Sequence, residues 1–518
     1  MKEFLDRLLD YYNLTKEDYL ALTAPVSEDN FAIGHKFDKI DEVVKFIYSF
    51  VKENKKIIVY GDYDADGIMA TSIIIKMLKY IGYNADYYIP SRYLDGYGLN
   101  LEKAKEIVEK GYDLIITVDN GISAFEGIDY LKENGKSVVV MDHHEMQSVL
   151  PNCDYFLHPT LSNFGEVASS GAFVCFMFSI AFLGRFDKYL STLASISLIS
   201  DMMPLKEYNR NLLRLVISSY KEGEFNAIDM LKEGDEFNET AIGMKIAPKI
   251  NSVGRLIEDN SINQLVDYFV TEDADKQLNY LSWINECNNS RKELSKASNE
   301  TGFDVDESEP CIVYKTDEKE GLIGLIANFL CGKYKKPAIV LTLDSSGESY
   351  KGSCRAPEGF NVVKTFEALS DYLVTFGGHA LAGGCSVEVS KFDEFSKKFK
   401  EYVISHPIEQ VSKQCIPLYM RELTFENYEI VRSFSPFGEA MRSPLFILPR
   451  IKTNALLFSK DRKHILTQLG ARTKLIGFNF SKDDVTQTEF IDLVGTMRVS
   501  EYKGMKNLEF FITDIERE

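Results

Sequence analysis

Between residues 56 and 141, short apolar runs alternate with stretches of helical spacing. Lys56–Tyr60 (KIIVY), Ala85–Ile89, Asp113–Val118 (DLIITV) and Ser137–Met141 (SVVVM) read as strands, and Ile68–Tyr80, Leu101–Lys110 and Ala124–Asn134 as the helices around them. Continuous Val/Ile runs separated by helices predict a parallel sheet covered on both faces. Residues 156–221 read as mostly helical. Within them Gly171–Gly184 (GAFVCFMFSIAFLG) is almost wholly apolar. It falls short of the roughly 18 residues that would span a bilayer, so it predicts a buried core helix and no membrane anchor. From Thr271 to Thr301 there is neither Gly nor Pro, and Leu278, Leu281, Ile284 and Leu294 recur at helix-compatible intervals. That predicts one long helix crossing between domains. A second alternating unit follows, with Cys311–Lys315 and Ala338–Leu343 as strands and Leu322–Tyr334 as a helix. After a break near Ile408–Cys415, short strands dominate: Leu445–Lys452, Ile465–Ala471, Lys474–Phe480, Phe490–Val499 and Leu508–Ile515. Short strands with polar turns predict a small β-barrel of the OB type.

These runs give an α/β protein with four segments. Residues 1–225 form a parallel-sheet domain with an N-terminal helical extension, and 226–305 a helical connector. Residues 306–408 form a second α/β domain and 409–518 the barrel. A length of 518 residues agrees with several domains. The N-terminus MKEFLDRLLDYYNLTKEDYL mixes charges among its apolar positions. It predicts an amphipathic helix and not a signal peptide. Eight cysteines without a CxxC pair argue against a zinc ribbon and fit a reducing cytoplasm. The net charge of −19 opposes a protein that coats nucleic acid by bulk attraction, but leaves room for a local basic groove.

Three acidic clusters each follow a predicted parallel strand: GDYDADG with Asp62, Asp64 and Asp66; VDNG with Asp119; and MDHHE with Asp142, His143 and His144. Ligands of open α/β sheets bind beyond the carboxyl ends of the strands, so three separate stretches deliver acids to one edge. One such cluster alone is as readily a solvated turn or a helix cap. Three together predict divalent-metal binding, because carboxylates and imidazole suit Mn²⁺, Mg²⁺ or Zn²⁺ and crowded carboxylates repel without a cation. Two such ions polarise a phosphoryl oxygen and supply a nucleophile.

These motifs resemble the DHH phosphoesterase superfamily, named for the triplet seen here as Asp142-His143-His144. Asp201 in SLISDMMPL matches its isolated fourth-motif aspartate, and FGGHALAGGCSV, with Gly377, Gly378 and His379, resembles the signature of the DHH-associated domain. Within the superfamily the RecJ branch is most similar, through PSRYLDGYGL, APKINSVGRL, GLIGLIANFLCGKYKKPAIVL, KGSCRAPEGFN, SPFGEAMRSPLF and DLVGTMRVSEYKG. The resemblance implies a DHH domain joined by a long helix to a DHH-associated domain and an OB-fold. It implies a metal-dependent exonuclease that degrades single-stranded DNA from its 5′ end to mononucleotides. By that resemblance Asp66, Asp119, His143 and Asp201 hold one divalent ion, Mn²⁺ or Mg²⁺. Asp62, Asp64 and the shared Asp119 hold the second, and His144 supports the site or meets the scissile phosphate. Arg92, Asn251, Arg255, Ser353 and Arg355, with Gly377, Gly378 and His379, then handle substrate phosphates. Helicases and single-strand-binding protein are the implied partners. In the barrel, Lys460, Arg462, Lys463, His464, Arg472 and Lys474 lie near Phe458 and Tyr502, a mixture that suits single strands.

The chain departs from that pattern in three places. Glu318-Lys319 stand where the family carries Trp-His, Lys249 replaces an arginine, and Tyr60 takes the place where related pyrophosphatases have a metal-binding histidine. Two other readings stay open: a DHH phosphodiesterase for short RNA or cyclic dinucleotides, and an inactive scaffold that binds DNA or replication proteins.

Overall fold

A computed structural model describes residues 3–31, 37–162, 168–300, 303–344, 346–408, 414–502 and 504–517, with backbone alone at 297–300, 484, 502 and 517. The chain divides into two compact units. The larger holds the described residues of 31–201 and 219–411, and the smaller those of 1–30, 202–218 and 412–518.

The larger unit opens with five parallel strands: β1 (Ile57–Tyr60), β2 (Asp86–Tyr88), β3 (Leu114–Val118), β4 (Ser137–Met141) and β5 (Tyr155–Leu157), in the order β2-β1-β3-β4-β5. β1 and β3 are buried at every position. This follows from helices on both faces, which make each alternate side chain a core residue. Ile58, Tyr60, Ile115, Val138 and Val140 pack with Ala104, Ile107, Ile128 and Leu131 from the helices Leu101–Glu109 and Phe125–Glu133. On the other side lie the helices Ala65–Tyr80, Gly171–Leu183 and Lys188–Ser200. Gly171 to Ile180 are buried without a break, so this apolar helix is a core element. Among the described residues no helix is long and apolar enough to cross a membrane. The region 156–221 is less uniform than its composition suggests, because β5 occupies its first residues. Three residues are too few to show a period.

The helix Ala274–Glu300 leads to a second sheet. Its strands are β6 (Ile312–Thr316), β7 (Ala338–Leu343), β8 (Ser349–Arg355), β9 (Thr375–His379) and β10 (Ala382–Glu388), in the order β6-β7-β8-β10-β9. β6 and β7 are parallel, and the other pairs are antiparallel. β8, β9 and β10 escape the sequence reading because their glycines, serines and lysines form no apolar run. The helix Glu320–Tyr334 covers Ile312, Ala338 and Val340 on one face, while the helices Val362–Ala368 and Phe392–Ser405 bury Ile339, Cys354 and Cys385 on the other.

The smaller unit carries a six-stranded sheet: β11 (Ile416–Pro417), β12 (Phe446–Lys452), β13 (Ile465–Gln468), β14 (Thr473–Gly477), β15 (Phe490–Tyr502) and β16 (Met505–Arg517), in the order β11-β12-β15-β16-β14-β13. The N-terminal segment is two helices and not one. Asn13 at φ 53° ends Phe4–Tyr12, and Thr15 with Asp18 forms the capping box of Lys16–Thr23. The segment also belongs with the C-terminal strands, not with the first α/β domain. Phe4 stacks on Phe446 at 5.9 Å, and Tyr12 on Phe434 at 5.2 Å. Residues 202–218 join them, as Arg210 donates to the carbonyls of Phe434, Ser435 and Pro436 at 2.8, 2.9 and 2.9 Å.

Candidate metal centre and anion pocket

β1 delivers its acids through a tight turn into a helix. Asp64 caps the Ala65–Tyr80 helix, accepting from the backbone N–H of Asp66 at 2.9 Å and of Gly67 at 3.1 Å. Asp66 then points from the first turn towards the N-terminus of the Gly171–Leu183 helix. Its carboxylate accepts from Gly171 N and Ala172 N, both at 2.7 Å, and from Ser197 Oγ at 2.6 Å. A negative group is favoured at that position. Gly171 is required by proximity, since a Cβ there would lie 2.7 Å from Asp119 Cβ. Asp119 itself, after β3, has φ 60°, a strained conformation for a residue other than glycine. Neighbouring bonds hold it there. The Asn120 amide donates to the carbonyls of Tyr60, Gly61 and Val118 at 3.2, 3.0 and 2.9 Å, fastening the ends of β1 and β3 together.

Asp142, after β4, has a different task from the other acids. It accepts from Ile122 N at 2.9 Å, His143 N at 2.7 Å, His144 N at 3.2 Å and the His144 ring at 2.8 Å. It holds the His144 ring directly and the backbone of both histidines. His143 Nε2 lies 3.1 Å from Asp119 Oδ1, 3.5 Å from Asp66 Oδ2 and 3.6 Å from Asp201 Oδ2. Asp201 reaches the cluster from the C-terminal end of the Lys188–Ser200 helix. Three overlapping groups result: Asp62, Asp64 and Asp119; Asp66, His143 and Asp201; and Asp119, His143 and His144. In each, one ligand atom per residue lies within 4.8 Å of the others.

The electrostatics of this cluster ask for a cation. Burial, with Asp64 beside it, pushes Asp62 up to about 8. Burial, then Asp66 and Asp64, pushes Asp201 up to about 8. Burial and Asp66 take Asp119 well above the carboxylate range and also raise Asp64. His143 is driven down to about 4 by burial, so its imidazole is neutral and able to act as a ligand. His144 rises to about 9 despite its burial, because Asp142 bonds to it. Burial opposes ionisation of Asp142, yet the His144 bond holds that carboxyl well below its usual range. Asp62 Oδ1 and Asp119 Oδ1 are buried without a hydrogen-bond partner. Such oxygens are costly unless something positive meets them, and the donor set of carboxylates with neutral imidazole fits Mn²⁺ or Mg²⁺.

A second constellation in the same unit is cationic. The Arg92 guanidinium lies 4.1 Å over the Tyr63 ring. Arg255, near the end of the Ala247–Leu256 helix, donates to Gly321 O at 3.0 Å. Gly321 allows this approach, since a Cβ there would collide with Arg255 O. Arg355 on β8 donates to Ser353 Oγ at 3.0 Å and to Cys354 O at 2.8 Å. Burial lowers Arg255 to about 10, and Arg92, Arg355 and Arg291 push the same way. No sequence motif marks Arg291. It lies on the polar connector helix, its Nη2 bonds Asn288 at 3.0 Å, and its Nε is buried with no partner, as is Arg92 Nε. Crowded guanidiniums with unmet donors form a place for an anion.

The other expected residues separate into groups. Arg355, Ala382 and His379 share one row of the second sheet, and Ser353, Gly384 and Gly377 another. Residues directly opposite on neighbouring strands face the same side. Ser353 and Arg355 therefore look onto a strip of small residues that ends at the exposed His379, and a Cβ at Gly377 would meet open space. Gly378 faces the other way, where a Cβ would collide with Ala382 O. Gly377, Gly378 and His379 are not part of the carboxylate–imidazole groups. Asn251 Oδ1 accepts from Ala65 N at 2.8 Å, so this oxygen braces the Asp64 turn. Lys249 does not take over a phosphate contact. It is buried and donates to Leu231 O at 2.7 Å and Glu233 Oε1 at 2.6 Å. Tyr60 is buried, and its hydroxyl donates to Gly98 O at 3.1 Å. In the smaller unit, Phe478 is exposed with His464 against it at 5.4 Å, but Lys474 is paired with the buried Glu509 at 3.1 Å. The Tyr502 side chain lies outside the described residues.

Comparison with known proteins adds three matches along the chain. Residues 56–200 match the DHH family, N-terminal domain; 309–405 the DHHA1 domain; and 416–514 the RecJ OB domain. The chain is 28% identical over 500 residues to the single-stranded-DNA-specific exonuclease RecJ of Bacillus subtilis, covering 91% of this chain and 63% of that protein. It thus spans less than two thirds of that relative. It is 26% identical to the protein of the same description from Haemophilus influenzae, covering 92% and 90%. Among solved structures, RecJ from Thermus thermophilus in complex with Mn²⁺ matches with a TM-score of 0.83 at 22% identity, covering 96% of this chain and 73% of that one. Exonuclease RecJ bound to manganese matches with a TM-score of 0.61 at 26% identity, covering 74% and 97%.

Proposed function

Because the chain is a RecJ-like member of the DHH phosphoesterase superfamily, we propose that it is a metal-dependent exonuclease that removes mononucleotides from the 5′ end of single-stranded DNA. The observation that carries this reading is the pairing, within one unit, of an acidic cluster that fits two divalent ions with an arginine pocket suited to a terminal phosphate. Asp66, Asp119, His143 and Asp201 would hold one ion, and Asp62, Asp64 and Asp119 the other. When bound, two such ions polarise phosphoryl oxygens and supply a water nucleophile at neutral pH. The chain's own residues do the rest. Asp142 fixes His143 and His144, and Arg92, Arg255, Ser353 and Arg355 hold the terminal phosphate. That contact sets which phosphodiester lies over the acids. The small-residue strip from Ser353 to His379 is a surface on which a backbone can lie close to the sheet. Its partners are single-stranded DNA and, in repair and recombination in the cytoplasm, a helicase and single-strand-binding protein.

The test is a panel of 5′-phosphorylated single strand, matched duplex, short RNA and cyclic dinucleotide, each with Mn²⁺, and with Asp119→Ala beside the wild type. Loss of the single strand alone, abolished by the substitution, supports the reading. Turnover of the cyclic dinucleotide or short RNA without the single strand would move the protein to the phosphodiesterase class.

A further inference from the structure

One irregular loop, residues 90–100, reaches both the arginine pocket and the metal centre of the larger unit. Arg92 lies over Tyr63 within the arginine pocket. Tyr93 donates its hydroxyl to Arg255 O at 2.5 Å and accepts from Gly321 N at 3.3 Å, so it meets both the Ala247–Leu256 helix and the start of the Glu320–Tyr334 helix. The Tyr97 hydroxyl lies 3.1 and 3.3 Å from the ring nitrogens of His144 and 3.4 Å from Asp119 O. A loop without regular structure needs a fixed point to serve three places at once.

Asp95 is that point. Its side chain is 5% exposed. Oδ2 accepts from Ser91 N and from the Tyr88 hydroxyl, both at 2.8 Å, and Oδ1 lies 3.2 Å from Lys103 Nζ. The backbone N–H groups of Asp95 and Gly96 donate to Ser91 O at 2.9 and 3.1 Å, and the Asn100 amide donates to Asp95 O at 2.8 Å. Ser91 in turn donates to Glu258 O at 3.0 Å. A carboxylate suits this task because it accepts from several directions at once, and charge-assisted bonds are stronger than neutral ones. Lys103 offsets the cost of burying the charge.

We infer that Asp95 is a positioning residue for substrate recognition: its carboxylate closes the 91–95 turn and so sets the place of Arg92 in the pocket for the terminal phosphate. The inference rests on the pocket reading above. The bonds of Asp95 go to Tyr88, Ser91, Asn100 and Lys103, and among the described residues none goes to a residue of the acidic cluster. Its effect is to select 5′-phosphorylated over 5′-hydroxyl ends.

Two strands of one sequence, with and without the 5′-phosphate, separate this role from mere support of the fold. Their affinities are read by fluorescence anisotropy in EDTA, and their kcat/KM values with Mn²⁺. Asp95→Ala is expected to reduce the preference for the phosphorylated strand at least about tenfold, as Arg92→Ala does, in line with the loss of one charge-assisted contact. Leu94→Ala, at an exposed position of the same loop, is expected to keep it. Asp95→Asn keeps the volume and serves if the alanine variant does not fold. Equal losses for both strands in the Asp95 variants, with Arg92→Ala still selective in its effect, would overturn the positioning role. An unchanged preference in Arg92→Ala would instead overturn the pocket reading beneath it.

Discussion

Asp62, Asp64, Asp119 and Asp201 share one buried space, so without metal their ionisation works against the fold. Asp62 is raised in the folded state to about 8 from an ordinary 3.8. A group raised on folding contributes stability that is full below its unfolded value and is lost as pH climbs through its folded value. The window is therefore about pH 4 to 8. At about 1.4 kcal/mol per pH unit, Asp62 alone accounts for at most roughly 6 kcal/mol across that window. Asp64, Asp119 and Asp201 act in the same direction. Divalent ions reverse the sign, because they bind the ionised form. At a thousandfold excess over Kd, each site adds about 4 kcal/mol. Asp62→Asn is then expected to be more stable than the wild type in chelator at pH 8, to lose that advantage near pH 4–5, and to gain less from Mn²⁺. Calorimetry of both proteins at pH 5, 6.5 and 8, with chelator and with Mn²⁺, reads this as the difference between their unfolding temperatures. At roughly 2 °C per kcal/mol for a unit of this size, the advantage amounts to several degrees. A chelated variant that is less stable than the wild type at pH 8, or a difference that does not change with pH, would refute the reasoning.

Three further outcomes follow from the same geometry. Asp142→Asn, which weakens the acceptor that holds the His144 ring and the backbone of both histidines, is expected to fold but to lose about 10- to 100-fold in Mn²⁺ affinity or activity, measured by metal titration and rate. Arg291→Ala is expected to weaken binding of a 5′-phosphorylated strand about tenfold while leaving the 5′-hydroxyl strand nearly unchanged, and to flatten the salt dependence of binding. Lys249→Ala leaves Leu231 O and Glu233 without their buried donor. Glu233 is half exposed and is rehydrated, so denaturant unfolding is expected to show a loss of about 1–3 kcal/mol from the orphaned carbonyl, with the ratio of rates on the two strands unaltered.

β1, β3 and β4 were legible because they are unbroken apolar runs, and a strand buried on both faces needs such a run; β5, three residues long and only partly buried, has none and was not. The meeting of Asp62, Asp64, Asp66, Asp119 and His143 was legible for a related reason, since the ends of parallel strands share an edge. Asp201 is different. Nothing in the spacing of its helix ties it to those strands, and it was found through resemblance alone. β8, β9 and β10 carry Ser353, Arg355 and His379, but their bare, glycine-rich pattern resembles a turn more than a strand. Asp142 reads as one more acid in the row. Its bonds to Ile122 and to both histidine N–H groups, which make it a support, exist only in three dimensions. Arg291 and Asp95 were missed for the same reason. The pairing of the N-terminal helices with strands some 400 residues away follows from aromatic contacts such as Phe4 on Phe446, which leave no local trace.

The most direct test of the central claim uses a single strand labelled at its 5′ end, incubated with the protein and Mn²⁺ and sampled at early times. The account predicts that the first labelled product is a mononucleotide, that it requires the divalent ion, and that it is absent with Asp119→Ala. Labelled products that shorten gradually from the other end, or release of the mononucleotide in chelator, would contradict it.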